Sequence, residues 1–305
     1  MAAFDIDAFE RDGFCIFEVL SPAEVPRYRA LLDGLAAKKP PHNDPLYEPE
    51  LTDLCFHPIL IGAAAIALRC KPGDILLDNL KSYTWEAGET YRQGWHRDTL
   101  HSPEHRAWLG ATFDQLIAAI EQGCWDHNNV QGHLALSDDH GFRAVPGSHR
   151  RTFTAEEREA FGDLSELCPV EATILAGREI VVPSGHAIWY NNNLIHSGWS
   201  AYARGADEDE CFPCPRRSLL FGMHSRSRIP TWHFRAGISQ RVAQLEPAVR
   251  NALSPRMREN IAKRNKRMQE LGGFGDDPKV TIEKDIKTFW TSGLLPPFTA
   301  GAAKL

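Results

Sequence analysis

Apolar residues recur along this chain at two periods, and the change from one to the other divides it. Phe4 to Arg11 has the spacing of a short amphipathic helix that Gly13 stops, and Phe14-Cys15-Ile16-Phe17 reads as a short strand. Ser21, with Pro22 next and Glu24 three residues on, predicts a capped helix start, and Val25, Tyr28, Leu31, Leu32 and Leu35 continue it at helical spacing. Lys38 to Pro49 holds four prolines and reads as a loop. Pro58 to Arg69 is apolar on nearly every side, which predicts a buried helix. Pro72-Gly73 then turns the chain into a strand from Ile75 to about Trp85.

Beyond this point short strands dominate. Gly132 to Ser137, Phe142 to Val145, Val170 to Ile174, Glu179 to Val182, Ala187 to Tyr190 and Ser218 to Met223 all have strand character. Turns separate them, among them Asp138-Asp139-His140-Gly141 and Asn191-Asn192-Asn193. A helix is predicted over Ala155 to Phe161, and a charged helical region from Ser239 to Gly272 breaks near Pro247 and Pro255 and reads as solvated. Residues 99–128 read as an insertion holding a helix from about Glu104 to Glu121, placed to serve as a lid or a homodimer contact. Residues 200–215 read as an acidic, proline-containing loop. The expected fold class is mainly β with flanking helices. A single domain over 1–305 has N-terminal helices in 1–70, a jelly-roll core at about 75–225 and a C-terminal helical extension.

Composition narrows the function classes. Hydrophobic content of 43% and charged content of 24% are those of a globular protein, and a formal net charge of −6 argues against nucleic acid or an anionic membrane as partner. A small-molecule substrate is the remaining expectation. The longest apolar stretch, Ile59 to Leu68, is about half of what a membrane span needs. Seven cysteines at irregular spacing give no disulfide framework, and the N-terminus lacks a secretory pattern, so a cytoplasmic location with reduced thiols is expected.

Gly94-Trp95-His96-Arg97-Asp98 carries the first specific chemistry. On an extended segment residues two apart share a side, so His96 and Asp98 can reach one metal ion, and His196 can close the face. Two imidazoles and one carboxylate form the donor set of non-haem Fe(II) sites with open positions. Alone, His-x-Asp reads equally well as a surface turn.

Its company is more specific. Arg11-Asp12-Gly13-Phe14 and Leu20-Ser21-Pro22-Ala23-Glu24-Val25 come before it. Val145-Pro146-Gly147-Ser148-His149-Arg150, Gly185-His186, Asn193-Leu194-Ile195-His196-Ser197-Gly198 and Arg217-Ser218-Leu219-Leu220 follow it. In this order, from about residue 4 to about residue 224, the motifs resemble the phytanoyl-CoA dioxygenase family of Fe(II)/2-oxoglutarate-dependent oxygenases. The resemblance implies a double-stranded β-helix core, Fe(II) held by His96, Asp98 and His196, 2-oxoglutarate as cosubstrate, and O2. Release of succinate and CO2 would accompany oxidation of a small organic molecule, with hydroxylation foremost and desaturation, epoxidation or rearrangement as alternatives. A metal isomerase or hydrolase of cupin type and a non-catalytic binding protein are the rival classes.

For the cosubstrate's far carboxylate the resemblance points to Arg217, because Arg-Ser-Leu-Leu entering a strand is similar to the family motif. Relatives place this Arg closer to the distal His, whereas here the two are 21 residues apart. Arg216 would face the other side of the strand and is the alternative, since only one of the two can face the interior. Gln93 is a further cosubstrate candidate. In the family pattern His149 is architectural. Asp98 fills the position that related halogenases leave vacant, which argues against halogenation. Trp85, Trp95, Trp189, Tyr190 and Trp199 read as core before they read as pocket. Asn79, Lys81 and Tyr83 share one strand face, and they and Arg143 can face a ligand or solvent alike.

Overall fold

The computed structural model describes residues 3–87, 93–98, 129–151, 153–161, 176–198, 202–204, 211–213, 215–226 and 238–270. The predicted helix at 104–121, the strand at Val170 to Ile174 and Trp199 lie outside them.

The N-terminal third is helical. Helix α1 (Ile6–Asp12) begins where the Asp5 carboxylate accepts from the Asp7 and Ala8 amides at 2.9 and 3.1 Å, and it ends at Gly13 in the left-handed conformation. After strand β1 (Phe14–Glu18), helix α2 spans Val25–Ala36. Glu24 reaches back to the Ser21 amide at 2.9 Å as a capping box would. The box closes a turn, however, and the helix proper starts later than the Ser21 signal predicts. The proline-rich loop leads into α3 (Pro49–Leu54), a helix the apolar pattern does not announce, and α4 (Pro58–Ala67) follows.

Strands β2 (Ile75–Trp85), β3 (Asn129–Ala135), β4 (Asp139–Ala144), β5 (Arg178–Val182), β6 (His186–Asn191), β7 (His196–Gly198) and β10 (Arg216–Ser225) build two antiparallel sheets. Helix α5 (Ala155–Phe161) lies between β4 and β5 in sequence. One sheet has the order β1-β6-β3-β10-β2, the other β5-β4-β7. Strands β8 (Tyr202–Arg204) and β9 (Cys211–Pro213) pair as a hairpin inside the segment predicted as loop. The predicted turn at Asp138 to Gly141 is also corrected, because β4 begins at Asp139 and pairs with β5.

The two sheets face each other as a jelly roll. Ala135, Ile188 and Tyr190 of one pack with Phe142, Ala144 and Val182 of the other. The larger sheet turns its opposite face to the helices, where Leu219, Phe221 and Met223 of β10 join Leu77, Leu80 and Trp189 in the main core. Strand alternation therefore sends Arg216, Ser218, Leu220 and Gly222 inward. In register with them stand Tyr83, Lys81 and Asn79 of β2, and Ala135, His133 and Gln131 of β3. These inward rungs form the wall on which the site is built.

Helices α6 (Ile238–Gln244), α7 (Pro247–Ala252) and α8 (Pro255–Glu270) break at the predicted prolines. Helix α8 is less solvated than its charge suggests. Between Gly222 and Met223 the β10–β2 register slips, leaving Asp78 as an extra residue on β2. Arg264 Nη1 of α8 is ion-paired with Asp78 Oδ1 at 2.9 Å and donates to Leu77 O at 3.2 Å, and Asn260 bonds both the amide and the carbonyl of Leu77 at 2.9 and 3.0 Å. A bulge thus anchors α8 to the end of the sheet.

Trp189 is fully buried on the helix-facing side, its ring 5.1 Å from that of Phe221. Truncating it to Ala should cost about 3–5 kcal/mol of unfolding free energy. Urea titration followed by circular dichroism measures this, and a loss below about 1 kcal/mol would contradict the packing described.

Candidate metal centre

His96 and His196 face each other across an isolated antiparallel bridge. The His96 amide donates to the His196 carbonyl at 2.9 Å, and the His196 amide returns the bond at 3.0 Å. On either side, the Asp98 amide bonds Asn192 O at 3.0 Å and the Gln93 amide bonds Gly198 O at 2.9 Å. Residues 93–98 are thereby fastened to β7 and the asparagine turn before it. Extended backbone puts His96 and Asp98 on one side and Arg97 on the other.

The side chains converge. His96 Nε2 is 3.5 Å from Asp98 Oδ1, His196 Nε2 is 3.7 Å from Asp98 Oδ2, and the three ligand atoms lie within 4.8 Å of one another. Each imidazole is oriented from behind, His96 Nδ1 by Gly94 O at 2.8 Å and His196 Nδ1 by Leu194 O at 2.9 Å. A carbonyl oxygen only accepts, so in each neutral ring Nδ1 carries the proton and the Nε2 lone pair faces Asp98. Gln131 Nε2 donates to Asp98 Oδ2 at 2.7 Å, and Gln93 Nε2 lies 3.3 Å from His96 Nε2. Two imidazoles and a carboxylate, so oriented, suit a divalent transition metal.

Arg97 points away from this face and is buried. Its guanidinium donates to Ser148 O at 2.8 Å, Asn193 O at 2.6 Å and Arg151 O at 2.9 Å, and lies 4.6 Å from the centre of the Phe153 ring. Burial pushes its pKa down to about 9, with Glu157 opposing. The Pro146 to Arg150 turn is part of the same brace. The Ser148 hydroxyl accepts from the Ile195 amide at 2.8 Å, one residue before His196. His149 turns the other way, its Nε2 3.2 Å from Glu10 O.

The three ligand residues open on a cavity of about 290 Å³ that Asn79, Lys81, Tyr83, Gln93, Tyr190 and Arg216 also line. Arg216, rather than Arg217, enters it. Arg216 Nε donates to Asp139 Oδ2 at 2.9 Å, and its guanidinium carbon lies 4.4 Å from the centre of the Tyr83 ring. Arg217 occupies the opposite face of β10, paired with Asp33 of α2 and with Glu86, and bonded to Trp85 O at 2.9 Å. The expectation that Arg217 faces the interior is therefore corrected. Alternation allows one inward arginine, and the pairing of β10 with β2 and β3 selects the even-numbered set.

Asp139 is the residue that the sequence pattern conceals most completely. It is fully buried and accepts from Arg216, from the Ser218 hydroxyl and from the Gly141 amide at 2.7 Å, with His133 Nε2 3.3 Å away. Burial alone would raise its carboxyl, but Arg216, His133, Ser218 and the Gly141 amide outweigh burial and hold it well below the usual carboxylate range. Gln131 and His133 also escape notice, since both sit in an ordinary strand run. Of the aromatic residues, Tyr190 lines the cavity, while Trp95 and Trp189 are core and Trp85 is not among the lining residues. Phe142 lines the cavity from β4, which puts its neighbour Arg143 on the other face of that strand.

No protein-family model and no curated protein matches the chain. Among solved structures it is similar to EctD from S. alaskensis with 2-oxoglutarate and 5-hydroxyectoine, at 17% identity over 75% of this chain and 77% of that one, with a TM-score of 0.50. It is also similar to the epimerase SnoN in complex with Fe3+, alpha ketoglutarate and nogalamycin RO, at 17% identity over 72% of this chain and 82% of that one, TM-score 0.49. HygX from Streptomyces hygroscopicus with nickel and 2-oxoglutarate bound gives 19% identity over 72% and 84%, TM-score 0.49. At such identities the likeness to EctD concerns the fold alone.

Two buried imidazoles give the fold an acid limit. Burial is the main cause that lowers His133 and His149, each to about 4. In the unfolded chain both titrate near 6.5. Between these values the unfolded state binds protons that the folded state refuses, so stability is complete above about pH 6.5 and falls as the pH drops toward 4, by up to about 3 kcal/mol for each group. Asp139 withdraws its own contribution only at still lower pH. Urea midpoints at pH 7 and pH 4.5 test this, and equal midpoints would show that these imidazoles protonate within the fold.

Proposed function

We propose that the chain is an Fe(II)- and 2-oxoglutarate-dependent oxygenase that hydroxylates a small organic molecule. One observation carries the reading: an oriented face of two imidazoles and a carboxylate opens on the same cavity as a buried arginine. In this reading His96, Asp98 and His196 hold the iron, and Arg216 takes the distal carboxylate of the keto acid. Bound there, the metal and the keto acid would supply oxidative decarboxylation to succinate and CO2, coupled through O2 to oxidation of a substrate carbon.

The residues of the chain fit these parts. The Nδ1–H bonds to Gly94 and Leu194 fix both rings before any metal arrives, which spares the ordering cost on binding. Gln131 occupies one lone pair of Asp98 Oδ2, steadying the carboxylate. Arg216 offers a permanently charged planar fork, the group best matched to a carboxylate. A cavity of about 290 Å³ suits a small ligand, and fixed polar groups on its wall would orient it. EctD, whose fold the chain shares, is solved with 2-oxoglutarate. Asp98 leaves no vacant ligand position for a halide, so hydroxylation is favoured over halogenation. Cys15 and Cys55 are buried free thiols, which suits a reducing cytoplasm. Among the described residues no helix is long and apolar enough to cross a membrane.

Anaerobic titration of the Fe(II)-loaded protein with 2-oxoglutarate tests the reading through the visible charge-transfer band of a chelated keto acid. The band should appear in the wild type and vanish in His96→Ala. Its half-saturation should rise about tenfold or more in Arg216→Ala and stay near the wild-type value in Arg217→Ala. Iron bound with no band would overturn the assignment and favour a metal isomerase, a hydrolase or a binding protein.

A further inference from the structure

Arg216 is held on three sides, and the manner of holding specifies how an anion can reach it. Its Nε is taken by Asp139 Oδ2 at 2.9 Å. The guanidinium carbon lies over the Tyr83 ring, 4.4 Å from its centre. On a further side runs the backbone of Gly141. A Cβ there would stand 2.7 Å from Arg216 Cζ, 2.8 Å from Nη1 and 2.9 Å from Nε. The guanidinium therefore occupies the space that any other residue at 141 would fill.

The geometry assigns Asp139 and Gly141 as positioning residues that seat Arg216 with its Nη1–Nη2 edge toward a distal carboxylate of the cosubstrate. The assignment rests on the keto-acid reading of the cavity. A guanidinium can bind a carboxylate along its side, through Nε and one Nη, or end-on through both Nη atoms. Asp139 occupies Nε. Among the described residues the Arg216 guanidinium has no other hydrogen-bond partner, so the end-on edge remains for the ligand. An arginine fixed in this way loses little side-chain entropy when the anion binds.

Asp139 is itself immobilised. Its two oxygens accept from Arg216, Ser218 and the Gly141 amide. An asparagine in its place must turn its NH2 toward at least one of these donors, so Asp139→Asn keeps the shape of the side chain and loses the seat. Gly141→Ala reaches the same end without touching a charge, by displacing the guanidinium.

Two probes separate positioning from general damage. 2-Oxoglutarate and pyruvate share the keto-acid group, and only the former has a distal carboxylate. Calorimetric titration of the anaerobic Fe(II)-loaded protein with each should show Asp139→Asn and Gly141→Ala weakening 2-oxoglutarate by at least about fivefold while pyruvate and Fe(II) affinities hold. A smaller change in 2-oxoglutarate affinity, or an equal loss for pyruvate, overturns the assignment. If Asp139→Asn does not fold, Gly141→Ala decides by the same threshold. A wild type that binds the two keto acids equally would overturn the keto-acid reading together with this assignment.

Discussion

Two backbone hydrogen bonds between His96 and His196 are the constraint on which the site depends. These residues are 100 positions apart, and a metal needs its ligand atoms within a few ångströms of one another. The bridge meets that need with main-chain atoms and leaves the side chains free to aim. Everything nearby reinforces it. Arg97 ties the ligand segment to the carbonyls of Ser148 and Asn193, and the Ser148 hydroxyl holds the Ile195 amide. The Pro-Gly-Ser-His turn, whose His149 is directed at Glu10 O, is thus a brace for the strand that bears His196.

Buried charge is the second organising constraint. The fold encloses several arginines and gives each its own compensation, since an isolated buried cation would cost several kcal/mol. Arg97 donates from both Nη atoms to carbonyl oxygens, Arg264 is paired with the bulged Asp78, and Arg217 with Asp33 and Glu86 near the surface. Arg216 differs in kind. Its partner Asp139 takes one edge of the guanidinium and leaves the rest facing the cavity. Adjacent residues of one type thus have unrelated surroundings, one serving the attachment of α2 and the other the interior.

Much of the architecture was legible in the sequence because it rests on local periodicity. The apolar runs Ile75-Leu76-Leu77 of β2 and Leu219-Leu220-Phe221 of β10, the break prolines at 247 and 255, and the glycine that closes α1 act within a few residues of themselves. His-x-Asp was legible for the same reason, since its two donors share a side of any extended segment. The hairpin of β8 and β9 and the strand start at Asp139 were not, because pairing partners overrode residues that locally favour turns.

The sequence by itself determined which residues were chemically able to form a site: the ligand types, an arginine pair at a strand start, and a scaffold of short strands. Only the tertiary structure decided which of Arg216 and Arg217 looks inward. That choice is a matter of register, and a slip of one residue exchanges the two faces of a strand without altering its composition. The same holds for Asp139, which is 77 positions from Arg216 and has no local pattern to mark it. Its role exists only because the smaller sheet lays its first β4 residue against the first residue of β10.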